Sequence, residues 1–236
     1  MTDVTMKVKR EPDQPIDLPV KVERDGVLGH FKQERTRAKV ATIVDEVMET
    51  ALRVARPKGL YRVSSVGAHD RDGIEIDGVR FTSRVLSANL ADITTVIPHI
   101  TTCGHELDEL DVLPNDFMRY YCLDVIKMLI MFHASGYFLE FLRDRYSLTE
   151  TTHLHPGEFA DWPISEQNQL YSLFDNPEES IGVKLTATTT LQPIKSGAGI
   201  LFANGNSFES CQLCLQPNCS GRRAPYSPAL VKQFTE

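Results

Sequence analysis

Apolar residues recur every three or four positions between residues 34 and 55, where Val40, Ile43, Val44, Val47, Ala51, Leu52 and Val54 form one stripe. That period predicts an amphipathic helix, which Pro57 and Gly59 bring to an end. Residues 60–66 read as a strand. Asp70 to Gly73 is a turn signal, and apolar alternation resumes over 74–81 around Asp77-Gly78, so a hairpin is expected there. Ser83 is placed to cap a short helix reaching Leu90. The β-branched run 94–102 predicts a buried strand, and a helix carrying Glu106, Leu107 and Leu110 is expected to start at Gly104. The strongest helix is 115–145, with apolar residues around most of its circumference, so it needs cover on more than one side.

The second half is more polar. Residues 149–162 read as a Thr- and His-containing connection, and 165–174 as a helix with Pro163 just ahead of it. The run 181–191 alternates apolar and polar residues, 193–197 is a turn, 198–203 is a last strand, and Asn204-Gly205-Asn206 is another turn. Strands and helices mix without regular βαβ alternation, which predicts the α+β class. Three prolines and alternating charges mark residues 1–27 as an N-terminal arm or edge-strand segment. The main domain is expected over 28–205, and a cysteine-rich segment over 206–236.

The chain has 236 residues, 42% of them hydrophobic, enough for one large or two small domains with proper cores. A formal net charge of −7 argues against nucleic acid as a partner. Residues 1–39 are polar and show no apolar stretch of signal-peptide type. The apolar region 117–142 is interrupted by Arg119, Asp124, Lys127, His133 and Glu140. It reads as a buried helix and not as a membrane span. Five cysteines with no secretion signal predict a reducing, cytoplasmic setting.

Three of those cysteines, Cys211, Cys214 and Cys219, fall inside nine residues. Thiolates are soft ligands, and a CxxC unit puts two sulfurs on one turn, so zinc or an iron–sulfur cluster is one expectation. Only three ligands are local, whereas such sites normally take four. A redox pair with a spare thiol, or a plain cysteine-rich tail, fits the same residues. His105 could supply a fourth ligand or lie on the surface of a helix's first turn. Cys103 and Cys122 read as core. The adjoining Arg222-Arg223 pair could dock an acidic partner, hold a cofactor carboxylate, or be solvated.

Other residues carry two readings each. His153 and His155, two apart in an extended stretch, point to one side and could act together as ligands or acid–base groups; they could also be exposed loop histidines. Trp162 could stack on a ligand or pack in the core. The amide-rich turn from Lys195 to Gly199 could receive polar ligand atoms, although it lacks phosphate-loop spacing. No catalytic serine signature is present, and no Asp-x-His-x-x-Gly segment that would carry a corrinoid.

Six segments occur in a specific order: Arg56-Pro-Lys-Gly-Leu-Tyr-Arg62, Thr101-Thr-Cys-Gly104, His155-Pro-Gly-Glu-Phe-Ala-Asp-Trp-Pro163, Glu166-Gln167, Gly182-Val-Lys-Leu-Thr186 and Leu191-Gln-Pro-Ile-Lys-Ser-Gly-Ala-Gly199. With the terminal Cys-x2-Cys-x4-Cys they resemble the activation domain of vitamin B12-dependent methionine synthase, and more closely the short stand-alone proteins related to it. The resemblance runs from about Leu28 to Arg223. It implies an α+β fold with a central twisted antiparallel sheet and helices packed on it. It also implies binding of S-adenosylmethionine, whose methyl group goes to a cobalamin while an electron donor reduces the cobalt.

In that family an Arg-x-x-x-Gly-Tyr segment holds the cofactor's carboxylate, and it falls here on His153-Leu-His155-Pro156-Gly157-Glu158. The resemblance therefore implies His153, His155, Pro156, Gly157 and Glu158 as cofactor-binding, with Lys195, Ser196 and Gly197 from the nearby turn. Two positions depart from the pattern. His153 replaces a permanently charged guanidinium, and Glu158 brings a negative charge. The implied role is an accessory of corrinoid-dependent methyl transfer, acting on a corrinoid protein or cobalamin-dependent methyltransferase. An iron–sulfur or zinc electron-transfer protein or scaffold on the same fold is the alternative.

Overall fold

The computed structural model describes residues 12–110, 116–204, 208–219 and 221–235. The chain order is β1 (Gln14–Asp17), α1 (Arg24–Gly29), α2 (Glu34–Val54), β2 (Lys58–Tyr61), β3 (Ser64–Asp70), β4 (Gly73–Ile76), β5 (Val79–Phe81), α3 (Arg84–Leu90) and β6 (Thr95–Thr102). Then come α4 (Phe117–Arg145), β7 (Thr151–Leu154), α5 (Gln167–Ser172), α6 (Pro177–Ile181), β8 (Lys184–Leu185), β9 (Leu191–Gln192), β10 (Ser196–Ala203) and α7 (Pro228–Thr235). The class is α+β: an eight-stranded sheet with helices packed on it, and a separate β8–β9 pair.

β6 is the spine of the sheet. β10 pairs along one of its edges, with Ser196 opposite Thr102 and Leu201 opposite Ile97, and β7 pairs with the far side of β10. The other edge is shared: β2 takes residues 99–102 and β3 takes 95–96. β1 extends the sheet beyond β2, while β4 and β5 extend it beyond β3. Every pairing in the sheet is antiparallel.

The predicted helix stripe at 34–55 became α2, with Val40, Val44, Val47 and Ala51 buried. It stops at Ala55, because Arg56 precedes a proline and is biased away from helical backbone. The Ser83 cap also formed: its hydroxyl accepts from Leu86 N–H at 3.0 Å and donates to Asp161 at 2.5 Å. The Asp116 carboxylate caps α4 by accepting from Arg119 N–H, and Arg143 and Arg145 in the last turn complement the helix dipole. By length and composition α4 could cross a membrane. Here its first half packs with α1 and α2 around Val44, Leu123 and Ile126, and its second half lies on the sheet against Tyr61, Ile97 and Leu201. The opposite sheet face is covered by α3, α5 and α6, where Trp162 is fully buried beside Phe81 and Phe159. Trp162 therefore packs in the core.

Several expectations need correction. The helix expected from Gly104 is a single 3₁₀ turn, His105–Leu107, with Gly104 at φ +96° just ahead of it. The predicted strand 60–66 is two strands, separated at Arg62-Val63. The connection 149–162 contains β7, whose half-buried Thr151 and His153 are polar and so hid the burial of Thr152 and Leu154 on the other face. The alternating run 181–191 is mostly turn, since Asn176 caps α6 and Gly182 at φ +72° ends it. β10 begins two residues earlier than expected, at Ser196. The edge-segment reading of the N-terminal arm holds for residues 14–17, α1 runs across the arm's expected end at residue 27, and residues 1–11 lie outside the described residues. Gly205 and Asn206 of the predicted turn lie outside the described residues.

Arg62 joins the N-terminal edge to the helical layer. Its guanidinium is 5% exposed and forms an ion pair with Asp13 at 3.2 Å, with Asp175 at 3.9 Å beyond. It also donates to the carbonyl of Leu173. Asp13 in turn accepts from Asp175 N–H at 2.8 Å. Removing one partner of a buried pair strands the other charge. Asp13→Ala is expected to destabilise the fold by about 3–5 kcal/mol in urea unfolding. A loss below about 1 kcal/mol, the range of exposed pairs, would contradict a structural role.

Candidate functional site

The site is built on the three adjacent strands β6, β10 and β7. His99 on β6 is paired with Gly199 on β10. On the other side of β10, His153 is paired with Leu201 and Leu154 with Ile200, so His155 falls level with Gly199. Side chains alternate along strands, and this register brings His99, His153 and His155 to one sheet face, the face under α4.

Gly199 makes that convergence possible. A Cβ there would stand 2.8 Å from His153 Nε2 and 2.8 Å from His155 Nδ1. With no side chain, imidazoles from both flanking strands close over the central one. His99 Nε2 and His153 Nε2 are 2.9 Å apart, and the His153 and His155 ring centroids are 4.0 Å apart. His155 Nδ1 lies 2.7 Å from the Ala198 carbonyl and His99 Nδ1 lies 3.3 Å from that of Ile97. A carbonyl can only accept, so the hydrogen-bond pattern assigns a proton to each of those Nδ1 atoms. His99 Nε2 then accepts from His153 Nε2–H, which leaves a lone pair on His153 Nδ1.

Burial keeps the inner rings neutral. It pushes His99, 3% exposed, down to about 3, and the neighbouring His155 adds to the effect. His153 is held well below the usual histidine range, first by burial and then by His155, His99 and Arg223. Protonating His99 at Nε2 would break its bond to His153 and leave a charge without water.

The imidazoles and Thr101 form the floor of a cavity of about 460 Å³. Met128, Met131, Phe132, Ser135 and Leu139 of α4 cover it, and Ile194, Lys195, Ser196 and Gly197 form one wall. Arg223 reaches the rim from the C-terminal segment. Lys195 is paired with Asp124 at 2.9 Å, and Ser196 Oγ bonds Thr102 Oγ1 at 2.9 Å.

Five of the eight residues that the resemblance assigned to a cofactor therefore share one cavity: His153, His155, Lys195, Ser196 and Gly197. Pro156, Gly157 and Glu158 are not part of its lining; they make the turn that ends β7. Gly157, at φ +88°, donates to the Trp162 carbonyl at 2.7 Å, and Glu158 accepts the His155 N–H at 3.1 Å. The sequence reading missed His99, Thr101 and the α4 residues. A histidine and a threonine at alternate places in an otherwise apolar strand were the available signal.

The cysteines are arranged differently from the metal expectation. Among the described residues no group of three or more His, Cys, Asp or Glu side chains is placed to hold a metal ion. Cys211, Cys214 and Cys219 thus do not converge as ligands, and zinc or an iron–sulfur cluster gains no support. The segment is folded by Arg222, whose guanidinium bonds the carbonyls of Cys211, Cys214 and Ala224 at 2.9–3.1 Å and that of Gln216. His105 is half exposed beside Glu106 and lines a separate opening with Asp108 and Glu178. Cys103 and Cys122 are buried as expected, and burial pushes the Cys103 thiol up to about 12.

Comparison with known proteins agrees with this architecture. No family model matches the chain, and no curated protein matches it in sequence. Among solved structures, the chain is similar to the MetH reactivation domain bound to AdoHcy, with a TM-score of 0.60 and 14% identity. The superposition covers 84% of this chain and 80% of that one. At that identity the likeness is one of fold.

Two outcomes test the floor. A histidine depressed in the fold binds its proton more readily when unfolded, so its contribution is complete above about pH 6.5 and is lost as pH falls toward about 3. In that window His99→Leu should flatten the dependence of unfolding free energy on pH by up to about 1.4 kcal/mol per pH unit; equal slopes would mean that His99 protonates inside the fold. Gly199→Ala should cost about 1–3 kcal/mol by overpacking and shift the imidazole N–H resonances of the cluster. Unchanged spectra would contradict the close approach.

Proposed function

We propose that the cavity binds S-adenosylmethionine or its demethylated product, and that the protein serves as an accessory of corrinoid-dependent methyl transfer. The observation that carries this reading is the meeting, in one cavity, of the segment around His153-His155 and the turn around Lys195–Gly197. The two lie far apart in sequence, and the resemblance assigns both to the cofactor. The fold shared with an AdoHcy-bound domain supports the same reading.

The residues suit such a ligand. About 460 Å³ falls in the roughly 300–1,000 Å³ range of small-molecule sites. Met128, Met131 and Leu139 offer polarisable and apolar surface for a thioether or sulfonium body. Phe132, 65% exposed at the rim, offers a face for a purine. Thr101, Ser135 and Ser196 provide hydroxyls for ribose or amine groups. The neutral His153 imidazole presents a lone pair, not positive charge, to a sulfonium. In this reading the bound cofactor supplies the methyl group, and the chain's residues hold, orient and partly desolvate it. The acceptor would be the reduced cobalt of a corrinoid protein or cobalamin-dependent methyltransferase, with an electron donor as a further partner.

Calorimetric titration with S-adenosylmethionine and S-adenosylhomocysteine tests the reading. The expected result is saturable 1:1 binding. Gly197→Leu should weaken it at least tenfold while leaving thermal stability nearly unchanged, since a larger side chain there enters the cavity toward Met131. No heat of binding with either ligand would reject the proposal.

A further inference from the structure

We infer that Arg223 is the anchor for the ligand's carboxylate, and that the cysteine-rich segment serves to carry it to the cavity. The inference rests on the proposed adenosyl-ligand reading and names the residue that fixes the amino-acid end.

Arg223 lines the same cavity as His153, His155 and Lys195. Glu209 holds its Nε at 2.7 Å, and among the described residues neither terminal nitrogen of its guanidinium has a protein partner. Those two nitrogens form the planar fork that matches a carboxylate in a bidentate way. Among the described residues no aspartate or glutamate lines the cavity itself; the neighbouring carboxylates, Glu209 and Asp124, are engaged with Arg223 Nε and Lys195. Lys195 adds a second positive charge there, already shared with Asp124.

The segment that delivers Arg223 is built for the purpose. Arg222 gathers four backbone carbonyls between Cys211 and Ala224, which curls the chain around its own guanidinium. Glu209 and Gln212 form a reciprocal capping box at the start of the curl. Arg223 N–H lies 3.4 Å from Cys211 Sγ, which fixes where its side chain departs.

This arrangement accounts for both departures at the β7 turn. His153 cannot hold an anion because it is neutral, and Arg223 restores the charge from another part of the chain. Glu158 is engaged with the His155 N–H, and its charge favours the arginine nearby.

The test compares S-adenosylhomocysteine with 5′-methylthioadenosine, which keeps the adenosine and thioether but has no amino-acid carboxylate. Calorimetry on the full chain should show the natural protein preferring S-adenosylhomocysteine by about 10–100-fold, the worth of a charged hydrogen-bond pair. Arg223→Gln should erase that preference while leaving methylthioadenosine affinity within about twofold. Arg223→Lys, which keeps charge without the fork, should fall between. Glu209→Gln, which frees the guanidinium without removing it, should retain the preference. The assignment is overturned if Arg223→Gln keeps the preference, if it weakens both ligands equally, or if Glu209→Gln loses as much as Arg223→Gln. Failure of the natural protein to bind either compound would instead reject the adenosyl-ligand reading on which the inference stands.

Discussion

The missing side chain at Gly199 is the constraint on which the cavity floor depends. β10 is flanked on both sides, and each flanking strand sends imidazoles toward it on the same face. Any ordinary residue at the central position would fill the space where His153 and His155 now stand. The glycine thus acts as a spacing element. It lets two strands that never pair with each other bring side chains into hydrogen-bonding contact.

That contact has an energetic character of its own. The buried His99–His153 pair shares one proton without charge, the outer nitrogen of His99 meets the Ile97 carbonyl, and the neighbouring His155 meets that of Ala198. The inner part of the floor, His99 and His153, is therefore polar but uncharged, and the cations Lys195 and Arg223 stand at its edge. An apolar lid on α4 faces it. This division into neutral polar floor, apolar lid and cationic rim is what a ligand with distinct apolar and anionic ends needs.

The fold was largely legible from periodicity, because the helices at 34–55 and 115–145 and the strands at 94–102 and 198–203 are long or strongly patterned. β7 was not, since one of its faces is polar: His153 and His155 face a cavity, so no alternation into apolar residues marked them. The local spacing of Cys211, Cys214 and Cys219 suggested a metal, and spacing alone does not show that backbone carbonyls, and not sulfurs, organise the turn. His99 and Thr101 left a signal, two polar residues at alternate places in β6, but the sequence does not show which strands flank them or that they face a cavity. The Arg222-Arg223 pair was visible, but the different tasks of its two members emerge only from which carbonyls and which carboxylate each one reaches.

The order of strands also sets when the cavity can come into being. β6 is made early, yet its partner β10 follows only after roughly 90 further residues, on the order of ten seconds of ribosomal synthesis. Until then one edge of the sheet's spine and the whole of β7 lack their neighbour, and the nascent chain presents open edges of the kind that recruit chaperones or other strands. The histidine floor therefore closes only when the last strand of the sheet, β10, is in place.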